Sequence, residues 1–458
     1  MYRLRKYKEH YKNNIRLAAP IVLSQIGQVV VQIVDNAMVG QLGATQLAAA
    51  SFAGSIFFML FVFVMGISMG LTPLVGENFS QRRYGESSKY LQNAMVIYLV
   101  IAAVIFIIQL TTIPVLYHLG QPEEVVEMAI PYYKLLVWSV IPFMLFAVFK
   151  QFLEGIGNTK VTMYVVISTN LLNILGNYLL IYGHWGFPAM GVMGAGLSTL
   201  ISRILMPLFI FSYFIYKEQL RRYLRMFAWH RLDARYIRSL FSVGFPISMQ
   251  IFLEVTAFSL SAIMVGWIGT AEIAGNQIAL TLSNFAFMAV VGVASATTIR
   301  VSHLFGIGNL KQLNRAVIAS WHIGLCWNFI TASTYILLRN YLPRIFTQDP
   351  AVIEVASTLL IFAGLYQFSD GLQCLTIGAL RGIQDVRSIM IRAFISYILI
   401  CLPVGYLCAF TFGMGVSGIW LGFIVGLSTA SVLLIIRYRH SYGVLRRAQF
   451  SQRNFQVR

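Results

Sequence analysis

The chain has 458 residues, of which 58% are hydrophobic and only 11% charged, with a mean hydropathy of +0.73. A soluble protein carries roughly a quarter charged residues, so the missing charge makes lipid the solvent for most of this surface. The formal charge of +18 would suit a nucleic-acid ligand, but its placement argues against one. Lys and Arg gather in an N-terminal arm (Arg3, Arg5, Lys6, Lys8, Lys12, Arg16), in a mid-chain cluster (Lys217, Arg221, Arg222, Arg225, Arg231, Arg235, Arg238) and in the tail (Arg437, Arg439, Arg446, Arg447, Arg453, Arg458). All three flank apolar runs, where basic residues mark the cytoplasmic side and meet anionic lipid.

In chain order, spans are expected at 17–39, 47–73, 92–117, 130–153, 161–182 and 189–216, then at 239–265, 272–300, 314–338, 352–378, 388–411 and 415–438. Each is long enough for a hydrocarbon core of about 30 Å with some tilt. The first is too long for a signal-peptide core and contains Asp35, so it reads as a retained helix. Four cysteines (Cys326, Cys374, Cys401, Cys408) fall inside apolar runs with no C-x-x-C pair, which points away from a disulfide framework or a metal site.

Twelve spans put both termini on one side. The loops on that side hold Arg82, Arg83 and Lys89; Lys150 and Lys160; Arg300, Lys311 and Arg315; Arg381, Arg387 and Arg392. The opposite loops GQLGATQ, HLGQPEEVVE, YGHWGFPAMG and GWIGTAE contain no Lys or Arg, and only the loop near Arg339 and Arg344 departs from this. The termini are therefore expected in the cytoplasm, in a multi-pass protein of a bacterial inner membrane.

The chain also repeats itself. At a shift of 226 positions Pro20-Ile21 falls on Pro246-Ile247, Met38-Val39-Gly40 on Met264-Val265-Gly266, Gly43 on Gly269, Ala48 on Ala274, Gly66 on Gly292 and Thr72 on Thr298. Gly155-Ile156 matches Gly382-Ile383 with one residue of slip, and Gly191-Val192 with Gly194 matches Gly415-Val416 with Gly418. Six helices per half give the halves the same topology, the parallel repeat of many secondary transporters. The expected fold is an all-α polytopic membrane protein of twelve transmembrane helices in two pseudo-symmetric six-helix lobes, 1–216 and 239–458, joined by a cytoplasmic linker at 217–238. Small residues four apart (Gly66/Gly70, Gly292/Ala296) allow close helix packing within each lobe.

Ionisable groups inside spans are informative because each costs roughly 2.5–3.5 kcal/mol to insert. Asp35 in helix 1, Glu254 in helix 7 and Asp370 in helix 10 are such groups, with Arg203 in helix 6 a possible partner. A carboxylate that merely ties helices together is the alternative for each. Gln25, Gln28, Gln32 and Asp35 share one face of helix 1; Gln250, Glu254 and Ser261 line helix 7 more weakly; Gln277, Thr281 and Asn284 share a face of helix 8. A polar stripe on a spanning helix faces protein or water, so Gln28, Gln32, Gln277 and Asn284 are expected to line a cavity. Under the repeat register Glu254 stands where the first half has Gln28, and Asp35 where the second has Ser261. Asn173 and Asn177 lie one turn apart in helix 5, as do Tyr366 and Asp370 in helix 10. Such oxygens suit Na⁺, and a desolvated carboxylate can instead carry a proton. The 18 Met and 33 Phe suit an adaptable pocket, although core and lipid contact use the same residues. No phosphate loop, H-E-x-x-H or ATP-binding segment occurs, so the chain reads as no enzyme, without a cofactor, and driven by an ion gradient.

Asp35-Asn36-Ala37-Met38-Val39-Gly40, the G-x-x-G-x-x-x-x-A echo in both halves, Glu254, Asp370, Asn173-Ile-Leu-Gly-Asn177-Tyr178 and Gly155-Ile-Gly-Asn158-Thr159 together resemble the multidrug and toxic compound extrusion (MATE) family, in its NorM-like branch, over essentially the whole chain. The resemblance implies a monomeric antiporter that exports small organic cations such as drugs and dyes against Na⁺ or H⁺ by alternating access. It implies that Glu254, Asp370 and Tyr366 bind the coupling cation, with Na⁺ at the two acids. Asp35, Asn173, Asn177 and Thr199 match a second proposed ion or substrate site. Some relatives carry an aspartate in helix 5 where this chain has Asn177, which weakens a purely proton-driven first-lobe mechanism. A lipid-linked oligosaccharide flippase would be expected to need a cationic cavity, whereas the intramembrane charges here are mainly acidic; a narrow metabolite exporter remains the other reading.

Overall fold

A computed structural model describes residues 6–227 and 232–456, with side chains through residue 449. Arg3, Arg5, Arg231 and Arg458, the linker positions 228–231 and the side chain of Arg453 lie outside the described residues. Twelve long helices account for most of the remainder: α1 (Lys8–Gly40), α2 (Ala44–Ser80), α3 (Tyr84–Thr111), α4 (Glu123–Gly155), α5 (Thr159–Tyr182), α6 (Val192–Tyr216), α7 (Ala234–Gly266), α8 (Thr270–Gly306), α9 (Leu310–Leu337), α10 (Pro350–Gly382), α11 (Val386–Thr411) and α12 (Val416–Gln456). Among the described residues, eleven of them are both long and apolar enough to cross a membrane. The exception is α9, whose 28 residues suffice in length. It begins with Lys311 and Arg315 and buries Ser320 and Asn328, polar residues that lower its mean hydropathy.

Proline explains where the long rods are interrupted. Pro73 and Pro142 offer no N–H to the carbonyls four residues back, at Met69 and Trp138, and α2 and α4 break at Gly70 and Ser139 accordingly. Pro403 does the same toward Leu399, and α11 loosens into π-helical turns over Phe394–Cys401 and Leu407–Thr411. Pro114 lies in a 3₁₀ turn, Ile113–His118, so the third helix ends at Thr111 rather than at 117.

By packing, the described chain divides into two compact units, Leu23–Ser248 and Met1–Val22 with Met249–Arg458. The boundary falls inside α1 and α7, not in a loop. In the first unit the early part of α7 lies against α2: a Cβ on Gly66 would stand 2.5 Å from the Ser248 Cα, and one on Gly70 would stand 2.7 Å from the Gly244 N. In the second unit the early part of α1 lies against α8, where a Cβ on Gly292 would meet the Val22 backbone at 2.9 Å. The same segment is tied in by buried Asn14, whose Nδ2 donates to the Ala316 carbonyl (3.0 Å) and to Ser320 Oγ (2.7 Å), and by Arg300, which donates to Asn14 Oδ1 (2.6 Å). Glycine and small polar residues thus replace the apolar driving force that lipid does not supply.

The sequence repeat recurs as local geometry. In the first unit the backbone N–H groups of Met190 and Gly191 donate to the carbonyls of Leu180 and Ile181 (2.8 and 3.3 Å), folding α6 back onto α5. In the second unit Met414 and Gly415 donate to Cys408 and Ala409 (3.1 and 3.2 Å), folding α12 onto α11. Three residues beyond Gly191 and Gly415, a Cβ on Gly194 would come 2.5 Å from the Leu180 carbonyl oxygen, and one on Gly418 would come 2.4 Å from the Ala409 N. Backbone cannot yield as a side chain can, so Gly194→Val is expected to destabilise the protein by about 3 kcal/mol or more. A fall in the detergent-solubilised melting temperature would register this, and an unchanged melting temperature would contradict the packing.

Candidate functional site: carboxylates inside each unit

In the first unit the tight α5–α6 contact sets the site. Ser198 Oγ donates to the Asn173 carbonyl (2.8 Å), and a Cβ on Gly176 would stand 2.5 Å from the same hydroxyl. This register aligns Asn173, Asn177 and Thr199 toward Asp35 of α1. Asn177 Nδ2 donates to Asp35 Oδ1 at 2.5 Å. With its amide turned so that both ends are satisfied, Asn173 donates to the same oxygen (3.1 Å) and accepts from the Thr199 backbone N–H (3.3 Å). All four residues expected at this site are therefore together, and two amide donors converge on one carboxylate oxygen. Charge-assisted bonds of this kind hold an anion that would otherwise be costly to desolvate.

Arg203 of α6 lies within electrostatic reach of Asp35 without forming an ion pair with it. It donates instead to Ser139 Oγ at the α4 break (2.7 Å), and its guanidinium sits 5.2, 4.8 and 5.5 Å from the rings of Phe57, Phe61 and Phe143. Aromatic faces stabilise this cation in place, so Asp35 is met by amide donors rather than by a guanidinium.

The second unit builds a different arrangement. Glu254 Oε2 accepts from Gln250 Nε2 one turn earlier on α7 (2.7 Å), and Gln250 Oε1 accepts from Arg381 Nη2 at the end of α10 (2.7 Å). One amide thus bridges a carboxylate to a guanidinium. Asp370 is buried on α10 within electrostatic reach of Glu254, and Tyr366 stands one turn before it, edge-on to Trp420 at 5.5 Å. Trp420 Nε1 donates to Asn276 Oδ1 (2.9 Å), which fixes that indole. Tyr397 of α11, hydrogen-bonded by Gln373, lies near both acids. Two acids and one arginine leave this cluster one negative charge in excess when both acids are ionised.

Arg381, Tyr397 and Gln373 escaped the sequence reading. The charge pattern puts Arg381 in a cytoplasmic loop, but α10 continues to Gly382, where a Cβ would lie 2.6 Å from Val301. The spacing 370, 373, 377, 381 places Arg381 on the face of Asp370, and that periodicity was the available signal. Glu154 of α4 is a further buried carboxylate that was not foreseen, paired to Lys150 at 3.7 Å. Gln28, Gln32, Gln277 and Asn284 belong to neither network; Gln32, Gln277 and Asn284 are exposed. Among the described residues no group of three or more His, Cys, Asp or Glu could hold a metal ion.

Repeated helical halves with unlike carboxylate clusters inside them are the architecture of a polytopic membrane transport protein. The sequence profile of the MatE family matches residues 20–179 and 246–407, one match in each half. A probable multidrug resistance protein NorM of Agrobacterium fabrum is 34% identical over 437 residues, 94% of this chain and 93% of that protein. The multidrug resistance protein NorM of Vibrio vulnificus is 32% identical over 438 residues, 95% of this chain and 96% of its own. Among solved structures, one described as the outward-facing conformation of a multidrug resistance MATE family transporter of the MOP superfamily superposes with a TM-score of 0.88 at 20% identity, covering 96% of this chain and 97% of that one. A Vibrio cholerae MATE transporter gives 0.88 at 18% identity over 95% and 97%. The chain belongs to the MatE family and is NorM-like within it.

Proposed function

We propose that this protein is a cation-coupled antiporter that exports organic cations by alternating access between its six-helix lobes, 1–216 and 239–458. The observation that carries the reading is the acid pair of buried Asp370 and half-buried Glu254, the latter linked to Arg381 through a single amide. Neighbouring anions in a low-dielectric site repel each other and favour an incoming cation. The coupling ion, Na⁺ or H⁺, enters from outside and occupies these carboxylates with Tyr366 close by. Its charge displaces an organic cation held by the same negative potential, so exchange follows from competition and needs no ATP. Asp35, with Asn173, Asn177 and Thr199, supplies a second anionic seat for ion or substrate. Relatives named for multidrug resistance support drugs and dyes as the substrate class. The loop charges favour a bacterial inner membrane with both termini in the cytoplasm, and a single chain suffices as the working unit.

Efflux of an ethidium-like dye from cells lacking other pumps tests the reading. An inward Na⁺ gradient at clamped pH, and separately a pH gradient without Na⁺, are imposed. Efflux under one of them identifies the coupling ion. No dye movement under either overturns the proposal in favour of a narrow metabolite exporter or a flippase.

A further inference from the structure

The loop between α9 and α10 breaks the charge pattern obeyed by the other loops on its side. Arg339 and Arg344 stand at the opposite end of α9 from Lys311 and Arg315, where basic residues are otherwise missing. Neither arginine contributes to the acid clusters, and neither forms an ion pair among the described residues. Both open onto one cleft of about 570 Å³, lined also by Asn340, Gln348, Glu354 and Ser357.

The cleft is held in shape. Ser357 Oγ donates to the Arg339 carbonyl (2.9 Å), the buried Pro343 pins the short 3₁₀ turn Leu342–Ile345, and Asp349 caps α10 by accepting from the Ala351 N–H (2.9 Å). Its surroundings are amphipathic. Leu337, Tyr341 and Ile345, close in sequence to the arginines, are 76%, 66% and 75% exposed, and the Arg344 guanidinium lies 5.8 Å from the Tyr341 ring. Aliphatic and aromatic side chains beside guanidinium groups are the composition of a membrane–water interface. A free anion would account for the arginines but not for the apolar residues beside them. A hydrocarbon chain alone would account for those residues but not for the charges.

We propose that this cleft binds the headgroup of a phospholipid in the leaflet opposite the chain termini. The phosphate diester is held by Arg339 and Arg344, whose planar donor sets match phosphate oxygens, and the acyl chains run along Leu337, Tyr341 and Ile345. Glu354 is the one carboxylate lining the cleft, and it selects a headgroup that also carries a primary ammonium. The ligand class is therefore a phosphatidylethanolamine-like zwitterion. This depends on the membrane orientation given above and not on what is exported.

The full-length protein in detergent would be titrated with short-chain phosphatidylethanolamine, phosphatidylglycerol, phosphatidylcholine and inorganic phosphate, reading lipid-bound mass peaks and melting temperature. Phosphatidylethanolamine is expected to bind most tightly and to raise the melting temperature most. The double variant R339Q/R344Q should weaken its apparent affinity about tenfold, equivalent to about 1.4 kcal/mol. Glu354→Gln should reduce the preference for phosphatidylethanolamine over phosphatidylcholine while sparing binding of phosphatidylglycerol. Lipid-free variants that keep the melting temperature and gel-filtration profile of the unaltered protein would show that they fold. Equal binding by the double variant, an equal response to inorganic phosphate, or a preference for phosphatidylglycerol in the unaltered protein would each overturn the proposal.

Discussion

Glu254→Gln is expected to reduce gradient-driven dye efflux by about 100-fold, the rate equivalent of about 3 kcal/mol. The substitution conserves shape: the new amide oxygen can still accept the 2.7 Å bond from Gln250. What it removes is the charge that an incoming cation would neutralise, leaving Asp370 as the only acid of the cluster. Folding should not suffer. A buried neutral amide is cheaper than a buried carboxylate, so the melting temperature should hold or rise while transport collapses. That pairing separates loss of coupling from loss of structure. Dye efflux at the unaltered rate in the variant would refute a shared-charge mechanism, whichever ion drives it. A matched variant, Gln250→Leu, breaks the bridge between Arg381 and Glu254 and keeps both charges. An intermediate defect there would identify the bridge as a means of holding Glu254 in position.

The sequence carried the architecture because membrane insertion reads the same quantities as the eye: run length, charge and loop bias. Helix ends were less legible. The first helix was expected from residue 17, but α1 starts at Lys8 because its polar turn is used internally, with Asn14 buried against α9. Hydropathy cannot recognise a polar segment whose partner is protein. Asp35, Asn173, Asn177 and Thr199 stand together in the first unit; spacing along α5 pairs the two asparagines, and the family resemblance alone adds Asp35 and Thr199 to them. Arg381 was misplaced because basic residues near a span end are ordinarily loop residues. A tertiary contact to Gln250, far away in sequence, draws it into the acid cluster. Gln28, Gln32, Gln277 and Asn284 join neither acid network, and spacing along one helix does not say what such residues face. Arg203 needed a third dimension as well: three phenylalanines from α2 and α4 receive it, and nothing in their positions along the chain announces a common cage.

Asp35→Asn should separate the tasks of the two halves. In the unaltered protein, amide donors from Asn177 and Asn173 meet on a single Asp35 oxygen. An asparagine at position 35 brings a third amide to the same place. Its oxygen can receive these donors, but its own N–H groups then need acceptors, and the anionic seat is gone. Removing one charge-assisted bond costs about 2 kcal/mol, so export of a cationic dye should fall by roughly 30-fold. The second unit contains Glu254, Asp370 and their neighbours independently of Asp35, so stabilisation of the purified protein by its coupling cation should persist. Efflux lost with cation stabilisation retained would place substrate handling in the first unit and ion capture in the second. If both disappeared together, the acids would form one coupled system and competition at a single seat could not describe the exchange. If neither changed, Asp35 would be a structural carboxylate whose amide partners serve only to tie α1 to α5.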